Sequence, residues 1–202
     1  MRKLKLFIFL TYLLIITIPA YSIEAGIEYD GVYIDYSSLN YNEWNTKAKN
    51  YLELARNTKS ENKKMDYYSK AAGAYSTLIK IYPANAEVMA TLGHIYGKMN
   101  KPIHAKAFLD RGLNLALKNP LVNYYYGVFS EDEKDFRKAL KYYNFAYIYG
   151  MENNADLNMH LAVVNAKLGE LDKATFHYAK ACELLNNKKI KDKIRQLDDL
   201  KK

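Results

Sequence analysis

Four alanines, Ala71, Ala105, Ala139 and Ala174, stand 34, 34 and 35 residues apart. Four residues after each comes a large side chain: Tyr75, Leu109, Tyr143 and Tyr178. Seven after each come Leu78, Gly112, Ala146 and Ala181. Positions i, i+4 and i+7 share one face of a helix. That face therefore alternates small and large side chains, most plainly in DFRKALKYYNFAYIYG (135–150), where Phe136 extends it one turn earlier. Twelve residues before the last three alanines stand Gly93, Gly127 and Ala162, each preceded by a large residue, Leu92, Tyr126 or Leu161. This period predicts helix–turn–helix repeats that touch at the small residues and fill the space beside them with rings and leucines. One such unit cannot bury its own apolar face, whereas a stack of them can.

Chain breaks fall at the same period. Gly169 in KLGEL and Asn100 in KMNKP occupy equivalent positions, where a helix stops on a residue that tolerates a left-handed conformation. Pro102 then falls in the first turn of the next helix, where no amide donor is required. Pro83, Asn119-Pro120, Gly150 and Asn153-Asn154 separate the units. With 9 glycines and 4 prolines in 202 residues, an all-β fold built on many tight turns is disfavoured. A hydrophobic content of 50% argues against disorder throughout.

Three stretches, LGHIYGKMNKPIHAKAFLDRGL (92–113), YGVFSEDEKDFRKALKYYNFA (126–146) and LAVVNAKLGELDKATFHYAKA (161–181), resemble the tetratricopeptide repeat family. The resemblance rests on Leu92, Gly93, Tyr96, Ala105 and Leu109; on Gly127, Phe136, Ala139, Tyr143 and Ala146; and on Leu161, Gly169, Ala174, Tyr178 and Ala181. Ser130 departs from it, standing where an aromatic is usual. It implies an all-α fold, an α-solenoid of about four repeats over residues 43–186 with a degenerate first copy. The second helix of that copy lies in YYSKAAGAYSTLIKIYP, and its first, around Trp44–Asn57, fits if the intervening loop is about four residues longer than usual. Residues 187–202 carry Ile190, Ile194, Leu197 and Leu200 on one stripe among seven basic and three acidic side chains, as a C-terminal capping helix would.

The opening residues, MRKLKLFIFLTYLLIITIPAYS (1–22), read as a targeting segment. A basic start precedes an apolar run from Leu6 to Ile18, and Ala20 and Ser22 are spaced for signal-peptidase cleavage after Ser22. A run of 13 residues is short of the roughly 20 needed to span a bilayer. Because no charge occurs between Leu6 and Ile23, an uncleaved membrane anchor over residues 6–23 stays open beside the signal peptide. Either reading exports the chain to a periplasm or the cell exterior. Abundant Lys, Asn, Ile and Tyr fit an AT-rich bacterial genome, so the resemblance is to an exported bacterial member of the family. Residues 23–42 form a Tyr-rich lead-in interrupted by Gly26 and Gly31, expected to be extended with room for a short strand.

Charge narrows the partners. The net +8 contains Arg2, Lys3 and Lys5; without these three, the 30 basic side chains fall to 27 against 22 acidic ones, a mild +5. No basic and aromatic strand motif or RNA-reading repeat code is visible, so no nucleic-acid partner is expected. A membrane enters only through an uncleaved N-terminus. The lone Cys182 excludes an internal disulfide and reads as a small buried residue.

No catalytic signature is legible: there is no HExxH, GxSxG, glycine-rich phosphate loop or CxxC. The acidic SEDEKD (130–135) lacks the ligand spacing of a calcium loop and reads as a solvated turn. Neither an enzyme nor a bound cofactor or metal is expected. The four histidines include no i, i+4 pair, although His94 and His160 belong to first helices of different repeats. An envelope enzyme acting on cell-wall polymer through them is a distant rival, because each needs a positioned partner. In the family the sequence resembles, first helices line a concave groove for a peptide or partner helix. Register transfer places His94, Lys98, Tyr124, Tyr125, Val128, Met159, His160 and Lys167 there, with Ala90, Thr91 and Val163 beside them. Tyr124 is the stronger candidate anchor, since Tyr126 already holds the inter-repeat position; Tyr125 reads equally as a contact between repeats. The family's carboxylate clamp of Lys, Asn and Arg is missing from these positions. The resulting expectation is a non-enzymatic protein-binding module of the cell envelope, with a membrane-tethered assembly factor as the alternative.

Overall fold

A computed structural model describes residues 26–29, 32–35, 40–185 and 199. The expected signal segment (1–22) lies outside the described residues, as does the expected capping helix (187–202) apart from Asp199. The chain divides into two units, Met1–Leu39 and Asn40–Lys202. In the first, β1 (Gly26–Tyr29) and β2 (Val32–Asp35) pair antiparallel, with Tyr29 opposite Val32 and Gly26 opposite Asp35. The two residues joining them are Asp30 and Gly31, a dipeptide suited to tight hairpins. The described residues of the lead-in thus form two paired strands, where an extended segment with room for a short strand was expected.

The described part of the second unit is built of helices: α1 (Tyr41–Asn57), α2 (Glu61–Ile81), α3 (Ala86–Lys98), α4 (Pro102–Leu115), α5 (Pro120–Asp132), α6 (Phe136–Ala146), α7 (Ala155–Lys167) and α8 (Leu171–Leu185). They pack in four consecutive pairs, an α-solenoid, with a single π turn at Tyr147–Met151 after α6. Asparagine starts much of this structure. Asn85, Asn119 and Asn154, spaced like the alanines, each accept the amide three residues on, from Val88, Val122 and Leu157. Such caps satisfy amides that the helix itself leaves open. Inside α5 and α7, buried Asn123 and Asn158 donate back to two carbonyls each, Leu117 and Asn119 in one repeat, Glu152 and Asn154 in the next.

The turns within the repeats are equally periodic. Asn100 (φ 56°), Lys134 (φ 63°) and Gly169 (φ 80°) are left-handed at equivalent positions. Each is followed by an amide that reaches back five residues: Lys101 to the Tyr96 carbonyl, Asp135 to Ser130 and Glu170 to Asn165. These are the terminating bonds of a helix stopped by one left-handed residue. The reading of SEDEKD as a solvated turn is corrected in its first half. α5 runs through Asp132, and Ser130 is buried with its hydroxyl donating to the Tyr126 carbonyl.

The degenerate first repeat departs differently from expectation. The extra residues lengthen α2, not the loop. α2 starts ten residues before Ala71, whereas α4, α6 and α8 start three before their own alanines, and only residues 58–60 separate α1 from α2. Helix propensity explains this: ENKKMDY carries no breaker, and Ser60 caps it through the Lys63 amide.

Small residues set the helix spacing within each pair. A Cβ built on Gly93 would meet the Ala105 carbonyl at 2.9 Å and the Leu109 side chain at 2.8 Å; one on Gly127 would meet the Tyr143 ring at 2.5 Å. Tyr143 is fully buried and its hydroxyl is bonded to Glu131, so the ring has nowhere to retreat. Gly127→Ala should therefore cost about 1–3 kcal/mol. Gly73, exposed within α2 with open space around it, should give the opposite sign, Gly73→Ala adding about 1 kcal/mol. Lys134→Gly should add about 0.5–1 kcal/mol by relieving a left-handed lysine. Urea unfolding of the three variants checks all of these.

Candidate functional site

The first helices α3, α5 and α7 bring the expected site residues into four columns. Ala90, Tyr124 and Met159 form one; Thr91, Tyr125 and His160 the second; His94, Val128 and Val163 the third; Lys98, Asp132 and Lys167 the fourth. Four members do not line an open surface. Ala90 is fully buried, Thr91 and Tyr125 are only 7% exposed and Val128 5%, so they form the floor beneath the site. The cause is the close approach of α3 and α5, in which the Tyr125 ring stacks on His94 with centroids 4.5 Å apart. Lys167 is exposed, while His94, Lys98, Tyr124, Met159 and His160 are half-buried.

Aromatic contacts link the helices. From the stacked His94–Tyr125 pair the chain passes to Tyr124, 5.4 Å from Tyr125, and on to His160 at 5.8 Å edge-on and Tyr143 at 6.1 Å. His160 stacks on Tyr143 at 5.3 Å. Offset and edge-to-face ring contacts of this kind add to plain burial. Glu131 ties the far end together: its Oε2 accepts the Tyr143 hydroxyl at 2.7 Å and the His160 Nδ1–H at 2.8 Å. A carboxylate can only accept, so Nδ1 carries a proton. Beside this cluster Lys98 pairs with Asp132 across repeats at 3.2 Å.

Electrostatics follow from burial. Burial pushes the Tyr124 and Tyr143 phenols well up, and Glu131 reinforces the effect at Tyr143. Burial alone would raise the Glu131 carboxyl, but the hydrogen bonds from His160 and Tyr143 hold it below its usual value. His94 is pushed down to about 3, first by burial and then by Lys98, Arg56 and His160. Arg56, from the end of α1, also approaches the Tyr125 hydroxyl.

Sequence reasoning missed Arg56, Glu131, Asp132 and Tyr143 as parts of this site. Asp132 was legible, since it shares a repeat position with Lys98 and Lys167. Glu131 was hidden within a run of acids, and Tyr143 was accounted for by its packing role. His160 does have a positioned carboxylate. Among the described residues no group of three or more His, Cys, Asp or Glu stands close enough to hold a metal ion, and no helix is long and apolar enough to cross a membrane.

The fold defined by these helix pairs is a tetratricopeptide-like α-solenoid. It superposes on the APC/C hetero-tetramer Cut9–Hcn1 with a TM-score of 0.60 at 15% identity, covering 79% of this chain and 34% of that one. For PilW, a type IV pilus biogenesis factor, the TM-score is 0.53 at 20% identity, over 73% and 63% of the two chains. In sequence the chain is 25% identical over 168 residues to the RNA polymerase-associated protein CTR9 of Caenorhabditis elegans. That match covers 80% of this chain but spans only 14% of the relative's length. No family model matches.

Acid should destabilise the fold. His177, like His94, is lowered by burial, to about 4. Both histidines fall below the ordinary 6.5, so the unfolded chain binds the extra protons. Their contribution is intact above pH 6.5 and is lost progressively as pH falls towards 4 and 3. Thermal unfolding between pH 7 and pH 4 should show a falling Tm, with a shallower fall in His94→Gln.

Proposed function

We propose that this chain is a non-enzymatic protein–protein interaction module whose first-helix face receives a peptide or partner helix. One observation carries the reading: Tyr124 stands half-buried on the first-helix face, held between the Tyr125 and His160 rings. A rigid, amphipathic ring of this kind loses little entropy on capture and commonly anchors interfaces. Lys98, Asp132, Arg56 and Lys167 supply a mixed-charge rim suited to orienting a partner. The fold neighbours add support, one belonging to a hetero-tetramer and the other being a pilus biogenesis factor.

In this reading the site works in the cell envelope, periplasmic or extracellular, after export through residues 1–22. The absence of charge from Leu6 to Ile23 favours a second version, in which residues 6–23 tether an assembly factor to the membrane. N-terminal sequencing of the mature chain separates the two, since a start at Ile23 removes the tether.

Tyr124→Ala/Lys167→Glu should abolish capture of partners from a native envelope extract that the wild type retains, with helicity by circular dichroism unchanged. Tyr125 is unsuitable for this test because its loss would open the floor. Equal recovery by wild type and variant would remove the first-helix face from the mechanism.

A further inference from the structure

The second helices carry another surface, on α6 and the π turn after it. From Phe136 to Gly150 the chain has three cations, Arg137, Lys138 and Lys141, and no carboxylate. On the other second helices four lysines pair with carboxylates three or four residues away: Lys64 with Glu61, Lys70 with Asp66, Lys106 with Asp110 and Lys173 with Glu170. On α6 the lysines lie over rings instead. Lys138 sits 5.1 Å from the Tyr126 centroid, and Lys141 lies 5.7 Å from Tyr142 and 5.9 Å from Phe145.

Those rings form a row. Tyr126 stacks on Tyr142 at 4.3 Å, Tyr142 meets Phe145 edge-on at 6.4 Å, and Phe145 stacks on Tyr149 at 5.9 Å. Tyr142, Phe145 and Tyr149 are half-buried, and Ile148 beside them is 70% exposed. The carboxylate at the inner end of the row, Asp110, is already occupied by Lys106 and the Tyr126 hydroxyl. Lys138 lies near enough to Asp110 to help hold its carboxyl low, which leaves Arg137 and Lys141 as the cations of this face without an ion pair among the described residues, beside its apolar edges.

We propose that this α6 face docks an acidic protein segment bearing apolar side chains, separately from the first-helix site. Charge complementarity selects the partner: carboxylates would take the place of the counter-charges that α2, α4 and α8 supply for themselves. The row suits a peptide better than a single-stranded nucleic acid. Its ring faces are stacked on one another or covered by lysine, so bases would find few free faces. Three cations also neutralise few phosphates.

The probe is a short fluorescein-labelled peptide of alternating Glu and Leu, titrated against the full chain. Binding should weaken with salt, and about tenfold in Arg137→Glu/Lys141→Glu, two exposed sites whose reversal leaves the core alone. A peptide with Gln in place of Glu should bind about as poorly. Tyr124→Ala should bind the acidic peptide like the wild type, which keeps this surface distinct from the first-helix site. Backbone NMR shifts caused by the peptide should map to residues 137–149. The proposal is overturned by absence of binding to wild type, by binding indifferent to the charge reversal, or by shifts confined to α3, α5 and α7. A preference for oligo(dT) or phosphatidylserine vesicles over the peptide, lost in the same variant, would also overturn it by making the face a polyanion or membrane site.

Discussion

Contact at Gly127 governs much of this molecule. With hydrogen in place of a side chain, α5 lets the Tyr143 ring of α6 lie directly against its backbone. Gly93 does the same for Leu109 and the Ala105 backbone one repeat earlier. Once the two helices of a pair are this close, the larger neighbours have fixed places. Tyr126 closes one side of the pair and bonds to Asp110 in the repeat before. Leu157 and Leu161, fully buried, fill the other side from the repeat after. Packing interiors are nearly as dense as crystals, so the spacing chosen by a glycine propagates to everything that rests on it.

The candidate site grows from the same contact. Tyr143 enters the core as the ring opposite Gly127, yet its hydroxyl emerges where it can donate to Glu131. Glu131 then orients His160, and His160 stacks back on Tyr143 and meets Tyr124. A packing residue thus supports the first-helix face. The arrangement uses a half-buried carboxylate at modest cost because both of its neighbours are donors. The α6 helix carries both surfaces: Tyr143 faces inward toward Glu131, and Tyr142, one residue earlier, faces the outer aromatic row. On a helix adjacent residues point about 100° apart, so a Tyr-Tyr pair can serve two sides at once.

How far the sequence could be read depended on whether a feature recurs. Left-handed turns at Asn100 and Gly169 were legible, because only certain residue types suit that backbone. Lys134 at the same position was not, since lysine carries no such signal and the neighbouring acids suggested a plain solvated turn. The lengthened first repeat was read as loop because spacing counts residues without saying which helix takes them; continuous helix formers placed them in α2. Tyr124 and Tyr125 were adjacent candidates for one role, and only the approach of α3 to α5 buried Tyr125 against His94.

Sequence by itself determined the repeat, its register, the small residues at the helix contacts and the caps that begin and end the helices. These are local or periodic properties, set by backbone sterics and by which side chains fall on one face. Tertiary structure decided which polar groups meet. Glu131, Tyr143 and His160 lie 12 and 29 residues apart, as the hydrogen bonds between them record. No rule of spacing pairs them, because their meeting depends on how closely α5, α6 and α7 stack.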